Sequence, residues 1–196
     1  MANIYMVGVG GQGIITASRI IGDAAILAKK NVLLSETHGM AQRGGSVVCT
    51  ARIGDFQSPL IPPGKVDAIL SFEILETIRS ACLASKETTV ISSMERIVPL
   101  SASAQKTRYP TVDEVKAAVL GSAKEFFPID AIKLAQEAGS RISTNVVMVG
   151  ALVGTGITGI DRKHFEKAIE MNIPTKLDEN LRAFEKGLDE TARAPS

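Results

Sequence analysis

The segment that most constrains this chain is Gly8-Val9-Gly10-Gly11-Gln12-Gly13. It stands behind the apolar run of residues 3–9 and ahead of a stretch in which Ile14, Ala17, Ile21, Ala24 and Ala28 recur at intervals of three and four. A short apolar run bounded by glycine reads as a buried strand, and the three–four spacing reads as a helix over residues 12–29. Between them the G-x-G-x-x-G pattern predicts a tight strand–turn–helix junction. Gly8 permits the turn, Gly10 lets backbone approach a ligand, and Gly13 lets the helix pack close to a sheet. The N–H groups at the helix start favour an anion such as a phosphate. Glu36 follows roughly 20 residues later, where dinucleotide-binding domains place the acid that holds ribose. Two readings stay open on these residues alone: a dinucleotide-binding turn, or glycines that only close a strand–helix junction.

Residues 32–36, 46–53, 66–72 and 88–92 read as further strands, with a helix over 73–84 between the last two. Strands separated by helices predict crossover units and a largely parallel sheet. Residues 57–65, with Pro59, Pro62, Pro63 and Gly64, must form a surface loop. Thr111, with Glu114 three positions on, predicts a capped helix over 111–120. Residues 124–127 fit a short strand and 129–138 a helix ending at Gly139. Residues 145–153 are apolar and buried, with helix and strand both open. Residues 161–170 and 176–191 are amphipathic helices, and the stripe Leu177, Leu181, Phe184 and Leu188 reads as core packing. The 196 residues fit a single domain spanning 1–196. The expected fold is α/β: three α/β/α layers around a mainly parallel sheet that admits mixed strands, with added C-terminal helices.

Several function classes are excluded. Lys and Arg total 22 against 21 Asp and Glu, for a net charge of +1, so no basic face for nucleic acid is implied. Aromatic residues are 4% with no Trp, too few for base-stacking platforms. No run of about 18 apolar residues suggests a membrane span, and the N-terminus lacks the basic start of a signal peptide. Cys49 and Cys82 match no zinc or iron–sulfur spacing and read as buried thiols in a reducing compartment. With only His38 and His164 as histidines, the expected chain is cytoplasmic and holds no metal.

Glu36 runs straight into Thr37-His38-Gly39-Met40-Ala41-Gln42-Arg43-Gly44-Gly45-Ser46-Val47. This second glycine-rich loop is expected at the end of the adjacent strand, facing the first, where open α/β sheets bind ligands. Gly39, Gly44 and Gly45 would let its backbone fold against something flat or bulky. Arg43 and Gln42 offer a charged fork and an amide to a carboxylate or phosphate. The candidate ligand-facing residues are therefore Gly8, Gly10, Gly11, Gln12, Gly13, Glu36, His38, Gly39, Gln42, Arg43, Gly44 and Gly45. His38 is the one candidate for proton transfer, and no other acid, base or nucleophile is assigned.

On these motifs the sequence resembles the beta subunits of indolepyruvate:ferredoxin oxidoreductases, a branch of the gamma subunits or domains of the 2-oxoacid:ferredoxin oxidoreductases. The likeness continues through Pro128-Ile129-Asp130-Ala131, residues 145–152 and Asn180-Leu181-Arg182-Ala183-Phe184-Glu185-Lys186-Gly187, so it spans almost the whole chain. The string His38-Gly39-Met40-Ala41-Gln42-Arg43-Gly44-Gly45 resembles the arylpyruvate branch in particular. The resemblance implies a subunit of an enzyme that turns an arylpyruvate and coenzyme A into an aryl-acetyl-CoA, carbon dioxide and reduced ferredoxin. It implies a large alpha subunit as partner, carrying thiamine diphosphate for the carbanion and [4Fe-4S] clusters for single electrons, with ferredoxin as acceptor and coenzyme A as co-substrate. This chain would bind no cofactor alone and would work in a heterodimer. The Gly10–Gly13 turn and Arg43 become candidate contacts for coenzyme A phosphates, and an apolar patch is expected where the large subunit docks.

Three alternatives stand beside this reading. One is a gamma subunit serving another 2-oxoacid. A second is a stand-alone NAD(P)-binding oxidoreductase, which would need a substrate domain and a catalytic set such as Tyr-x-x-x-Lys. The third is an assembly module whose glycine loops are interface geometry only.

Overall fold

The computed structural model describes residues 1–39, 45–97 and 109–192. Eight apolar residues directly ahead of the glycine turn form β1 (Ala2–Val9), and the three–four apolar spacing behind it forms α1 (Ile14–Leu27). The edge strand β2 (Val32–His38) runs two residues past its expected end, and β3 (Ser46–Ile53) matches its expected span. Then follow β4 (Ala68–Ser71), α2 (Ile74–Ser80), a single 3-10 turn over Ala81–Leu83, and β5 (Thr89–Ser93). The helix expected over 73–84 thus stops at Ser80. The remaining elements are α3 (Val112–Leu120), β6 (Glu125–Ile129) and α4 (Ala131–Glu137), a 3-10 turn over Arg141–Ser143, and α5 (Thr144–Gly154), α6 (Arg162–Asn172) and α7 (Leu177–Thr191).

The six strands form one sheet in the order β2-β3-β1-β4-β5-β6. β1, β4, β5 and β6 are mutually parallel, whereas β3 runs antiparallel to both β1 and β2. The sheet is therefore mostly parallel with one reversed strand. The cause is loop length: residues 39–45 are too few for a crossover, which needs a dozen or more, so β2 and β3 close as a hairpin.

Both faces are covered. On one, α1 and the helices from α4 to α7 bury a core that includes Ile4, Met6, Ile20, Ile21, Leu70, Phe165 and Phe184. On the other, α2 and α3 close over Val66, Ile69, Ile74, Val90, Val115 and Val119. Thr111 and Glu114 form the expected capping box of α3. The ambiguous residues 145–153 are helical within α5, and every one of them is buried. Helix α5 lies under α7 and meets it almost backbone to backbone: a Cβ at Gly150 would overlap the Phe184 carbonyl, and one at Gly187 would overlap the Val147 carbonyl. The stripe from Leu177 to Leu188 packs on the core as expected. No helix among the described residues is long and apolar enough to cross a membrane.

The cysteines part company. Cys49 is buried, but Cys82 is exposed in the 3-10 turn, which corrects the expectation of two buried thiols. A single turn after α2 does not carry its side chain under either helix layer. Burial, and then the Glu36 carboxylate, push the Cys49 thiol up to about 11.

Candidate functional site

Chain order to either side of β1 reverses at its boundary with β4: the chain leaves β1 for β2 and β3 on one side and returns through β4 to the other. Open α/β sheets hold ligands at such a switch point, outside the carboxyl ends of the strands. A cleft of about 880 Å³ opens there, walled by Gly10–Gly13 and Thr16 from the first glycine turn, Phe72 and Glu95 behind β4 and β5, and the segments 140–145 and 172–176.

The glycine turn is a braced structure. Gln12 Oε1 accepts the Val9 N–H at 2.8 Å, and Gln12 Nε2 donates to the Phe72 carbonyl at 2.7 Å and to Glu95 Oε2 at 2.9 Å. With both ends of its amide engaged, Gln12 locks the turn to the ends of β4 and β5 rather than presenting a free amide to a ligand. Gly8 has no room for a side chain, since a Cβ would stand 2.9 Å from both Phe72 and Ile14. Gly13 caps α1 in the left-handed region, φ +75°, with no side-chain cap on the helix. Its close neighbour is Asn145 of α5 rather than the sheet, a correction to the packing role expected for it. Gly11, at φ +102°, borders open space. The first N–H groups of α1 lack helical partners, and Gly13 and Thr16 at this end of the helix line the cleft.

The second glycine loop does meet the first. The Gly10 N–H donates to the Gly45 carbonyl at 3.0 Å, and the Gly39 N–H to the Ser46 carbonyl at 2.8 Å. The two strands that flank this loop form a hairpin, however, and β3 stands between β2 and β1. That puts Glu36 two strand spacings, about 10 Å, from β1, not on the neighbouring strand where a ribose-binding acid belongs. Glu36 instead pairs with His38, Oε1 to Nε2 at 3.2 Å, both half-exposed and outside the cleft. The expected contacts Gln42, Arg43 and Gly44 lie outside the described residues.

Sequence reasoning missed the far wall. Arg141, Lys176, Ser140 and Asn145 line the cleft, and Arg141 and Lys176 have no ion pair among the described residues. Ser143 Oγ donates to Asn180 Oδ1 at 2.7 Å, and Asn180 Nδ2 to the Thr175 carbonyl at 3.1 Å, which ties the two far segments together. Asn172 Nδ2 donates to Asp23 Oδ2 at 2.7 Å and fixes α6 to α1. These residues are far apart in sequence and share no motif. The one available signal was the polar start of the buried helix, Ser143-Thr144-Asn145. Ile142, 86% exposed, stands at the cleft mouth.

Beside the cleft, Glu73 is buried and caps α2. It accepts from the Leu75 and Glu76 N–H groups at 2.8 and 3.0 Å and from the Tyr109 hydroxyl. Burial, and then that bond, push the Tyr109 phenol well up. Glu76 accepts from Ser46 Oγ at 2.9 Å, which anchors the base of the second glycine loop to α2. No group of three or more metal-ligating side chains occurs among the described residues.

Comparison with known proteins places this arrangement. The family model described as pyruvate ferredoxin/flavodoxin oxidoreductase matches residues 3–190. The indolepyruvate oxidoreductase subunit IorB of Archaeoglobus fulgidus is 42% identical over 189 residues, 96% of this chain and 94% of that protein. Among solved structures, the pyruvate oxidoreductase subunit PORC of Thermotoga maritima superposes with a TM-score of 0.72 at 24% identity, over 96% of this chain and 95% of that one. The 2-oxoglutarate:ferredoxin oxidoreductase of Magnetococcus marinus, solved with 2-oxoglutarate, coenzyme A and succinyl-CoA bound, gives a TM-score of 0.72 at 20% identity, over 97% of this chain and 31% of that one.

Proposed function

This chain belongs to the pyruvate ferredoxin/flavodoxin oxidoreductase family, and on that premise we propose that it is the subunit that completes an indolepyruvate:ferredoxin oxidoreductase and receives coenzyme A in its cleft. The observation that carries the substrate reading is the 42% identity to an IorB subunit, spread over 96% of this chain. In the reaction, the bond from the 2-oxo carbon to the carboxylate breaks and carbon dioxide leaves. The acyl carbon is oxidised by two electrons, which pass singly to ferredoxin, and the coenzyme A thiol loses its proton as the thioester bond forms.

Thiamine diphosphate and iron–sulfur clusters supply the carbanion and electron chemistry of such enzymes. The residues of this chain do not fit a cluster: a four-cysteine site needs twice its two cysteines, and Cys49 is buried in the sheet while Cys82 is exposed in a surface turn. Those groups belong to a large partner subunit, with ferredoxin as acceptor of the complex, and the work is that of a cytoplasmic anaerobic enzyme.

What this chain contributes is binding and shape. The α1 N-terminus, Arg141 and Lys176 provide donors for the co-substrate's phosphates, and Arg43, from the loop that Gly45 ties to Gly10, is proposed to join them. The Gln12 brace holds the turn so that its N–H groups are aimed before ligand arrives, which lowers the ordering cost of binding. The dehydrogenase alternative loses its ribose acid with the placement of Glu36.

The test is add-back. The large subunit alone, prepared anaerobically, should not reduce ferredoxin with indolepyruvate and coenzyme A, and adding this chain should restore the rate. Full activity without this chain overturns the proposal. Titration of coenzyme A into the assembled enzyme then separates a ligand role from an assembly role. Arg43→Ala should weaken coenzyme A and leave subunit association intact, whereas weaker association with unchanged affinity would make the loops interface geometry only.

A further inference from the structure

Glu95 is the single carboxylate among the described residues that line the cleft. Its Oε2 accepts from Gln12 Nε2 at 2.9 Å, and its other oxygen takes no hydrogen bond among the described residues. Across the cleft the character is opposite. Among the described residues Arg141 and Lys176 have no ion pair, and the hydroxyl of Ser140, 7% exposed, has no hydrogen-bond partner. No fully buried side-chain nitrogen or oxygen lacks a partner among the described residues, so the Ser140 hydroxyl is not sealed from solvent, and Ser140 lines the cleft. Asn145, also 7% exposed, engages one N–H only weakly, with the Gly13 carbonyl at 3.4 Å.

A bare anion drawn to the donors would meet the Glu95 charge with nothing gained from it. A ligand that carries an N–H or O–H some way from its phosphate would satisfy both walls. We propose that Glu95 is the specificity-determining residue of this cleft: its second carboxylate oxygen, the one not engaged by Gln12, accepts a hydrogen bond from an amide, hydroxyl or amine of a phosphate-bearing ligand whose anionic end sits against the α1 N-terminus, Ser140, Arg141 and Lys176. The inference rests on reading the cleft as the coenzyme A site, since the pantetheine amides of that molecule are such donors.

The bond to Gln12 gives Glu95 a structural duty as well, and Glu95→Gln separates the two. Its amide oxygen still accepts from Gln12, so the brace stays, while the charge and the free acceptor are lost. The experiment is titration calorimetry on the complete enzyme with two probes, coenzyme A and inorganic pyrophosphate, for wild type, Glu95→Gln and Arg141→Ala, with unchanged melting temperature as the fold control. Glu95→Gln should weaken coenzyme A about tenfold or more, the scale of a lost hydrogen bond to a charged group, while pyrophosphate binds as well or better. Arg141→Ala should weaken both probes. If Glu95→Gln leaves both affinities unchanged or raises both, Glu95 is only a brace or a fixed charge and the proposal is overturned. If Arg141→Ala changes neither probe, the phosphate reading of the cleft fails instead, and the role of Glu95 with it.

Discussion

Asn145 fills the space that a side chain on Gly13 would need: a Cβ built on Gly13 would stand 2.7 Å from the Asn145 side-chain nitrogen, which donates to the Gly13 carbonyl at 3.4 Å. The first turn of α1 is thereby locked onto the first turn of α5, and Gly13 and Asn145 together form part of the cleft wall. The same glycine is held at φ +75°, so geometry and crowding both demand it.

Gly13→Ala should therefore cost stability twice, about 1 kcal/mol for the left-handed backbone and a further 1–3 kcal/mol for overpacking against Asn145. Chemical denaturation of the chain checks the sum. A variant as stable as wild type would mean that Asn145 simply moves aside.

The crossing of α5 and α7 should be less forgiving still. Gly150 and Gly187 admit each helix to the carbonyls of the other, at Phe184 and Val147. Backbone cannot swing away as a side chain can, so Gly187→Ala should lower the melting temperature by more than any alanine substitution of a partly buried leucine on the same stripe, such as Leu181→Ala. Thermal unfolding followed by circular dichroism orders the pair.

The thiols should separate cleanly. Thiolate is the reactive form, and with its thiol held up at about 11, Cys49 is neutral at ordinary pH as well as buried. Alkylation at pH 8 followed by mass spectrometry should label Cys82 alone, with Cys49 labelled only after unfolding. The sign for stability follows. The unfolded thiol ionises near its ordinary value of about 9, so the stability held by neutral Cys49 is fully present below that pH and is lost as pH rises towards 11.

Thr111→Ala removes the side chain that accepts from the Glu114 N–H at 3.3 Å. Loss of this cap should cost about 1 kcal/mol, read in the same denaturation series, and should leave coenzyme A affinity unchanged because α3 covers the other face of the sheet. A change in affinity would contradict the separation of the two faces.

How far the sequence carried the fold and site depends on the range of the signal. The strands β1 and β3, the helix α1 and the capping box at Thr111 were legible because period, glycine and cap are local. The reversed strand β3 could be inferred from the short span of residues 39–45 but was masked by the dinucleotide pattern, whose usual context is a parallel crossover. The same pattern puts Glu36 beside β1, although β3 intervenes. The near wall of the cleft was legible as glycines. The far wall was not, because Ser140, Arg141 and Lys176 come together only when α5 inserts between the sheet and α7. The pattern makes Gln12 look ligand-facing, since nothing local betrays its bonds to Phe72 and Glu95. A continuous helix over 73–84 would bury Cys82, but the chain turns through 3-10 geometry there and leaves it exposed.

The most direct measurement is anaerobic co-purification of a tagged copy from its native cells, with the eluate assayed for indolepyruvate-dependent reduction of ferredoxin. The account predicts a large partner bearing thiamine diphosphate and iron–sulfur clusters, and a rate that requires coenzyme A. A chain that elutes alone and binds NADH would contradict it.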